Sequence, residues 1–255
     1  MDYIGSLMTY NLGDIKTDMS LIRGIKNIAA RVEADEAKFS NTDYVKAEWF
    51  GLKDKQSANV QFLQALDESD PSYSEKNGLG AMAVEHNHPT LWRNKALCTF
   101  EDEGRCYGCE MDAKAPKTGW KQKTKLYINV LADYGDGEPK VQVLSSGMGK
   151  GQVAPVLLDI VGAEPDEDED PVALTTVKFK ITRQGAGLQN TAYLLTQKGT
   201  TKADPEAHEL FDLDKVLRHV PYGEQEAFYN RGAVATEEGE KELVTTGATS
   251  SEEEW

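Results

Sequence analysis

The sequence predicts an α+β fold that is mainly β, with helices at its periphery. In about six short segments apolar residues alternate with polar ones, which is the period of a strand with one buried face. Between these strands we find one helix-like segment, residues 152–161. Many short strands with few helices favour a small barrel over a sheet of alternating strands and helices.

The strands are all predicted within residues 44–198. The alternation places them at residues 58–63, 79–85, 123–131, 140–144, 177–182 and 192–196. Residues 133–139 contain Gly135 and Gly137 and are typical of a hairpin turn between two of these strands. The whole pattern predicts a barrel of the oligonucleotide-binding type.

Further regions flank this core on both sides. Residues 1–43 are predicted to form a helical arm, because apolar residues recur there at the spacing of one helix face: Leu21, Ile25, Ile28 and Val32. Residues 199–235 are predicted to carry short helices. Residues 236–255 are predicted to be a disordered acidic tail, because they contain few apolar residues.

The acidic composition at first argues against nucleic acid as a partner, since the net charge is -15. However, residues 199–255 carry a net charge of -9 and residues 164–170 carry -6, so the rest of the chain is neutral. Within that neutral part, residues 114–125 hold five lysines and no acid. Such a basic patch can bind a polyanion if the acidic segments lie elsewhere.

The sequence also predicts a reduced, intracellular protein with no membrane partner. It has no apolar run of the roughly 18 residues that a transmembrane helix needs. Residues 1–5 lack the basic and apolar regions of a signal peptide. Three cysteines make a disulfide framework improbable, since one thiol would be left over.

All three cysteines fall in one stretch, residues 86–119, together with two of the four histidines. Their spacing is C-x7-C-x2-C, formed by Cys98, Cys106 and Cys109. Three cysteines and one histidine are a donor set that structural Zn2+ uses. We therefore predict an inserted zinc subdomain at about residues 86–119. The alternatives are reduced cysteines without a metal and a redox-active C-x2-C pair.

The fourth zinc ligand is either His86 or His88. We favour His86, because Pro89 stiffens the turn that directly follows His88. With four protein ligands the zinc would have no open position for a substrate, so a structural role is expected. The chain contains no nucleophile or acid–base arrangement that we can defend, and no enzymatic activity is expected.

Aromatic and basic residues are interleaved around this cysteine stretch. Along a strand Lys121, Lys123 and Lys125 would share one face with Tyr127, opposite Leu126, Ile128 and Val130. Lysines can contact the phosphates of a single strand while aromatic rings stack on its bases. The predicted DNA-binding residues are Trp92, Arg93, Lys95, Tyr107, Trp120, Lys121, Lys123, Lys125 and Tyr127. The alternative is a solvated strand face with a half-buried tyrosine.

Several motifs, spread in order over roughly residues 45–230, are similar to those of a known protein family. They are Glu85-His86, residues 95–99 (KALCT), 103–110 (EGRCYGCE), Gly119-Trp120, 126–131 (LYINVL) and 220–229 (VPYGEQEAFY). This set resembles the single-stranded DNA-binding proteins of tailed bacteriophages, especially those of actinobacterial hosts. The resemblance implies an oligonucleotide-binding barrel with zinc on His86, Cys98, Cys106 and Cys109, and DNA near residues 121–127.

The resemblance also implies a function. The chain would bind and protect single-stranded DNA without sequence preference during phage replication or recombination, in the cytoplasm of the infected cell. Better-known zinc-bearing members use a basic N-terminal arm for cooperative binding, whereas residues 1–40 hold five bases and six acids here. Self-association on DNA would then use the amphipathic helix of the arm. The alternative function is a zinc-containing protein-interaction module that does not bind DNA.

The C-terminus is similar to the acidic, aromatic-ended tails of single-strand binding proteins in general. Those tails dock replication or recombination proteins. The predicted partner-binding residues are Glu252, Glu253, Glu254 and Trp255. The alternative is an inert solubilising tail, since runs of acidic residues are common.

Overall fold

A computed structural model describes residues 45–91, 93–163, 172–187, 190–201 and 203–231. Within these ranges the fold is mainly β, with a few short helices, as predicted. The strands are β1 (Ser57–Phe62), β2 (Ala81–Asn87), β3 (Lys95–Leu97), β4 (Lys123–Asp133), β5 (Lys140–Gly147), β6 (Val177–Gln184) and β7 (Ala192–Thr200). The predicted arm, Trp92, the acidic loop 164–170 and the acidic tail lie outside the described residues.

Five α-helices accompany the strands in these ranges. They are α1 (Phe100–Glu103), α2 (Tyr107–Lys114), α3 (Val153–Val161), α4 (Leu213–Val216) and α5 (Tyr222–Tyr229). Two of them, α1 and α2, lie with strand β3 in the cysteine stretch, residues 86–119. None of the described helices is long and apolar enough to cross a membrane.

The seven described strands form one antiparallel sheet in which β4 is central. One edge of β4 pairs with β5 along most of its length. Its other edge pairs with β2 near its start and with β1 near its end. Strand β3 extends the sheet from β2, and β6 and then β7 extend it from β1.

The sheet is open among the described strands, so the closed barrel that the sequence predicts is not confirmed. Strands β5 and β7, at the two ends of the path β5-β4-β1-β6-β7, share no ladder. Helix α3 contacts both of them. A hydrogen bond from the Tyr193 amide to the Gly151 carbonyl, 2.7 Å long, also joins the start of β7 to the segment after β5.

The main core lies between one face of β1, β4 and β6 and helix α3. Buried side chains from these three strands, such as Phe62, Ile128 and Phe179, pack against Leu157 of the helix. The rings of Phe62 and Phe179 meet edge to face, with their centroids 5.3 Å apart. This packing accounts for one of the two faces that alternation predicts for β4.

The other face of β4 is also covered, which the sequence did not predict. Tyr127 is fully buried in a second cluster with Ala47, Val143, Leu213 and Val216. The cover therefore consists of residues just before β1 and of the segment around α4. The face that we expected to be open to DNA is closed by the chain's own C-terminal part.

A buried asparagine fixes the C-terminal segment on this face. Nδ2 of the Asn129 side chain donates to the backbone carbonyl of Phe211 at 2.9 Å, and Oδ1 of the same side chain accepts from the backbone amide of Phe211 at 3.0 Å. The same side chain donates to Oε1 of Gln64 at 3.0 Å. Buried polar groups cost free energy unless they are paired, so these bonds specify where the segment lies.

Replacing this asparagine tests whether the cover is part of the folded core. Asn129→Ala should lower the free energy of unfolding by about 2 kcal/mol, because the Phe211 and Gln64 groups lose a buried partner. Urea unfolding measures the change. The half-buried Asn59→Ala on β1 is the matched control and should change the free energy by less than about 0.5 kcal/mol. Equal effects of the two substitutions would contradict the assignment.

Candidate metal centre

Four side chains from three neighbouring elements converge beside the start of β4. His86 lies on β2, Cys98 directly follows β3, Cys106 precedes α2, and Cys109 lies in the first turn of that helix. Their ligand atoms all lie within 4.8 Å of one another. His86 and Cys106 are buried, and the other two are partly buried. This cluster could hold a metal ion, and it contains every residue predicted as a zinc ligand.

The histidine is oriented by a backbone carbonyl. Nδ1 of His86 lies 2.5 Å from the carbonyl oxygen of Trp120, so this nitrogen is the donor. The lone pair of Nε2 is then directed at the thiols, with Sγ of Cys109 at 3.3 Å. A hydrogen bond from the far ring nitrogen is the usual way in which proteins hold a metal-binding histidine in place.

The glycine in the C-x2-C turn is required by the close approach of the histidine. A Cβ atom at Gly108 would lie 2.4 Å from Cγ of His86. No side chain fits at that distance without displacing the imidazole ring. The turn between Cys106 and Cys109 therefore depends on glycine to let the two thiols and the histidine meet.

The thiols differ in their tendency to ionise. Burial opposes ionisation of Cys106, but hydrogen bonds from His86 and from the amides of Cys109 and Thr99 outweigh it and lower the pKa of Cys106 to about 6. Burial and the neighbouring Cys98 and Cys106 raise the pKa of Cys109 to about 12. The cluster therefore opposes a second thiolate at Cys109, and a divalent cation would compensate for that charge.

Protonation of the histidine is linked to the same thiolate. Burial opposes the charged form of His86, but the hydrogen bond with Cys106 and the contact with the Trp120 carbonyl outweigh burial and raise the pKa of His86. A metal ion binds only the neutral imidazole, so a raised pKa at His86 makes metal binding compete with protonation of that ring.

A buried glutamine ties the two cysteine loops to helix α5. The Gln225 amide nitrogen donates to Oγ1 of Thr99 at 3.1 Å, and its Oε1 accepts from the Tyr107 amide at 2.8 Å. Thr99 in turn donates to the carbonyl of Arg105 at 2.7 Å. Gln225 lies more than 100 residues beyond the cysteines, within the motif at residues 220–229, but the sequence does not show that this motif contacts the cysteine loops.

The structure resolves the choice between the two histidines. His88 lies outside the cluster, and its Nδ1 accepts a hydrogen bond from the Leu91 amide at 2.9 Å. Its ring packs edge to face against Trp120, with centroids 5.0 Å apart. The structure therefore places His86, and not His88, in the cluster that could hold a metal ion, and His88 is a buried packing residue.

Two of the aromatic residues predicted to stack on bases are buried. Trp120 is 4% exposed and packs against His88, Tyr107 and Tyr229. Tyr127 is completely buried beneath the C-terminal segment. Neither ring can stack on DNA in this conformation, so both predictions are corrected. Tyr107 is half-buried and stacks on Tyr229.

The predicted basic residues divide into two groups. Lys121, Lys123 and Arg93 are exposed. Lys95 and Lys125 instead form ion pairs with the buried carboxylate of Glu85. Burial opposes ionisation of Glu85, but these two lysines outweigh it and lower its pKa. The three lysines predicted to share one face therefore do not share one environment.

Glu85 is a central residue that sequence reasoning missed. Its carboxylate accepts hydrogen bonds from Lys125 and from the Tyr127 hydroxyl, and Lys95 lies 3.8 Å away. The sequence held a signal, since a carboxylate next to His86 on a strand must face the side opposite to the metal ligand. Glu85 lies beside Lys123 and Lys125 because β2 pairs with β4. The register of two strands that are distant in the chain cannot be determined from the residues near Glu85.

Comparisons of this chain with family models, with curated proteins and with solved structures found no match.

Exchanging each histidine separately tests the ligand assignment. His86→Gln should lower metal affinity by at least about tenfold and alter the absorption spectrum of the Co2+ form, because a ligand is lost. His88→Gln should retain the wild-type stoichiometry, measured by elemental analysis. Loss of metal from the His88 variant alone would contradict the assignment.

Metal affinity should depend steeply on pH. Binding must release the protons of Cys109, whose pKa is raised to about 12, and of His86, whose pKa is also raised. The apparent affinity should therefore increase as pH rises from about 6 to 8, because fewer protons remain to be displaced. Competition with a chelator of known affinity at each pH measures it. A flat profile would argue against thiol and imidazole ligands.

Proposed function

We propose that this chain binds and protects single-stranded DNA, without sequence preference and without catalysis, during phage replication or recombination. The observation that carries the proposal is the position of two exposed lysines, Lys121 and Lys123, directly after Trp120. The carbonyl of Trp120 orients His86, the histidine that we propose binds the metal. In this proposal a loop stabilised by the metal holds exposed positive charge at the start of the central strand β4.

Zinc is the metal that best suits this cluster. Three cysteines and one histidine are a donor set of structural zinc sites, which are closed by four protein ligands. The donors come from strand β2, from the loops after β3 and before α2, and from the first turn of α2, so a bound ion would join these elements and add to their stability. We assign the zinc a structural role, ordering the basic residues on both sides of it.

The strand order supports an oligonucleotide-binding fold. Such folds are five-stranded, partly open Greek-key barrels. The path β5-β4-β1-β6-β7, with α3 inserted between β5 and β6 and packed at the open seam, has the required number of strands and a partial opening. In this assignment the metal cluster lies within the long connection between the first and second barrel strands.

The DNA path must differ from the one in a simple member of this fold. In that fold, the second and third strands and two loops contact the oligonucleotide. Here the corresponding outer face, on β4 and β5, is covered by residues 47–50 and 211–217. We therefore place the DNA on the basic rim next to the metal cluster, where Arg93, Lys121 and Lys123 are exposed.

The remaining parts of the proposal concern partners. Self-association on DNA through the N-terminal arm, and docking of replication or recombination proteins on Glu252, Glu253, Glu254 and Trp255, remain predictions. The cytoplasm of an infected bacterial cell is the compartment that this function implies. Reduced thiols would be maintained there and would keep the cluster competent for metal.

A specific observation favours the second candidate, a zinc-containing protein-interaction module. Met82 is 55% exposed and Phe100 is 54% exposed, and both line a cavity of about 290 Å³ that reaches Cys98 and Gln122 of the metal centre. Exposed apolar side chains in one depression are typical of a protein-binding surface. This candidate predicts that the lysines of the rim are dispensable.

Charge removal on the rim distinguishes the two candidates. Lys121→Gln combined with Lys123→Gln should weaken binding of a fluorescent oligo-dT, measured by anisotropy. It should also reduce the slope of log K against log salt by about 1.4, because each lost phosphate contact accounts for about 0.7. The control pair, Lys53→Gln with Lys198→Gln, removes equal charge at exposed sites away from the rim. Equal slopes for both pairs, or no binding by the parent protein, would contradict the proposal.

A further inference from the structure

The short segment that leads into β4 contacts the four-residue His/Cys cluster at two places. The carbonyl oxygen of Trp120 lies 2.5 Å from Nδ1 of His86. Two residues later, Nε2 of the Gln122 side chain donates to Sγ of Cys109 at 3.2 Å and to Sγ of Cys98 at 3.6 Å. Three of the four side chains in the cluster are therefore contacted by this one segment.

The two sulfurs that Gln122 contacts lie in a different environment from the third. Cys106 is buried, and its sulfur accepts hydrogen bonds from the backbone amides of Cys109 and Thr99. Cys98 and Cys109 are only partly buried, and their sulfurs lie 3.6 Å apart. Two thiolates at that separation repel each other, and an N–H group directed at both of them offsets part of the repulsion.

The glutamine and the two lysines beside it lie on opposite sides of the chain. Trp120 is buried, Lys121 is exposed, Gln122 contacts the sulfurs, and Lys123, the first residue of β4, is exposed. This is the alternation of an extended chain, in which successive side chains point to opposite faces. Because Gln122 is directed at the cluster, its neighbours are directed away from it, towards solvent.

We propose that Gln122 is a positioning residue that couples the metal centre to the basic rim. Its amide stabilises the thiolates of Cys98 and Cys109 when a metal is bound, and the same contact sets the direction of Lys121 and Lys123. The inference rests on the proposed function, because it takes zinc as the occupant of the cluster and single-stranded DNA as the ligand of the rim. Hydrogen bonds to metal ligands typically contribute about 10- to 100-fold to metal affinity.

The contact with the sulfurs is tested on the zinc and cobalt forms of the full chain. Gln122→Met is similar in length but has no N–H group, so the affinity for Zn2+, measured by chelator competition, should fall about tenfold. The sulfur-to-metal charge-transfer band of the Co2+ form should move to longer wavelength, because thiolates without this hydrogen bond donate electrons more readily. The d–d bands should stay in place, since all four ligands remain.

A second variant and a control complete this test. Gln122→Asn keeps the amide but is one methylene shorter, so it cannot reach both sulfurs and should behave like Gln122→Met. Gln197→Met replaces an exposed glutamine on β7 and should change neither the affinity nor the spectrum. Circular dichroism checks the fold of each variant, and if one variant at Gln122 does not fold, the other decides. Parent-like affinity and band position in the folded variants would overturn the proposal.

The coupling to the rim is tested with a fluorescent oligo-dT, whose binding is measured by anisotropy to zinc-loaded and to metal-free protein. Elemental analysis confirms that each zinc-loaded sample is saturated. Zinc should tighten binding by the parent protein, and in Gln122→Met the ratio of the two affinities should fall towards one, because the side chain that connects the metal to the lysines is lost. Gln197→Met should keep the ratio of the parent protein.

The outcomes separate this inference from the proposed function. If the parent protein binds zinc and oligo-dT and the variants at Gln122 match it in every measurement, Gln122 is not a positioning residue and the proposed function stands. If the cobalt band moves but the ratio of affinities is unchanged, the coupling to the rim is wrong. If the parent protein binds no zinc or no oligo-dT, the proposed function and this inference fall together.

Discussion

The convergence of one histidine and three cysteines is the constraint on which the rest of this structure depends. His86 belongs to the sheet, Cys98 follows its edge strand, Cys106 precedes helix α2 and Cys109 lies in the first turn of that helix. The cluster joins the edge of the sheet to helix α2, and the carbonyl of Trp120, shortly before β4, orients its histidine. Together with the bonds of Gln225, it holds the loops that present the basic residues.

The sequence predicts that one face of β4 packs in the core and that the other face binds DNA, whereas in the structure both faces are covered. Strand β4 contributes buried residues to both faces, and its lysines lie near its exposed start. The outer face is occupied by the chain's own segment, which Asn129 holds in place. The proposed DNA contacts are therefore placed beside the cover, on the basic rim next to the His/Cys cluster.

Strand positions and the members of the His/Cys cluster could be predicted from sequence because both signals are local. Alternation over a few residues places β1, β4 and β6 correctly, and the three cysteines lie within 12 residues of one another. The burial of Tyr127 could not be predicted, since alternation shows that two faces differ but not which one meets water. The covering residues, such as Leu213 and Val216, follow more than 80 positions later.

The choice between His86 and His88 also could not be made from alternation along the strand. Residues two apart on a strand share a face, so periodicity cannot separate them. The pairing of β2 with β3 and the carbonyl of Trp120 select His86. The contact of Gln122 with the sulfurs also depends on the tertiary fold, since Gln122 lies 13 residues beyond Cys109.

The central claim is that a metal ion organises the surface that binds single-stranded DNA. The most direct measurement is oligo-dT affinity of one preparation before chelation, after complete metal removal, and after Zn2+ is restored under reducing conditions. We expect affinity to fall on removal and to return with zinc, in parallel with recovery of the metal content. Unchanged affinity in the metal-free protein, with its fold intact by circular dichroism, would contradict the account.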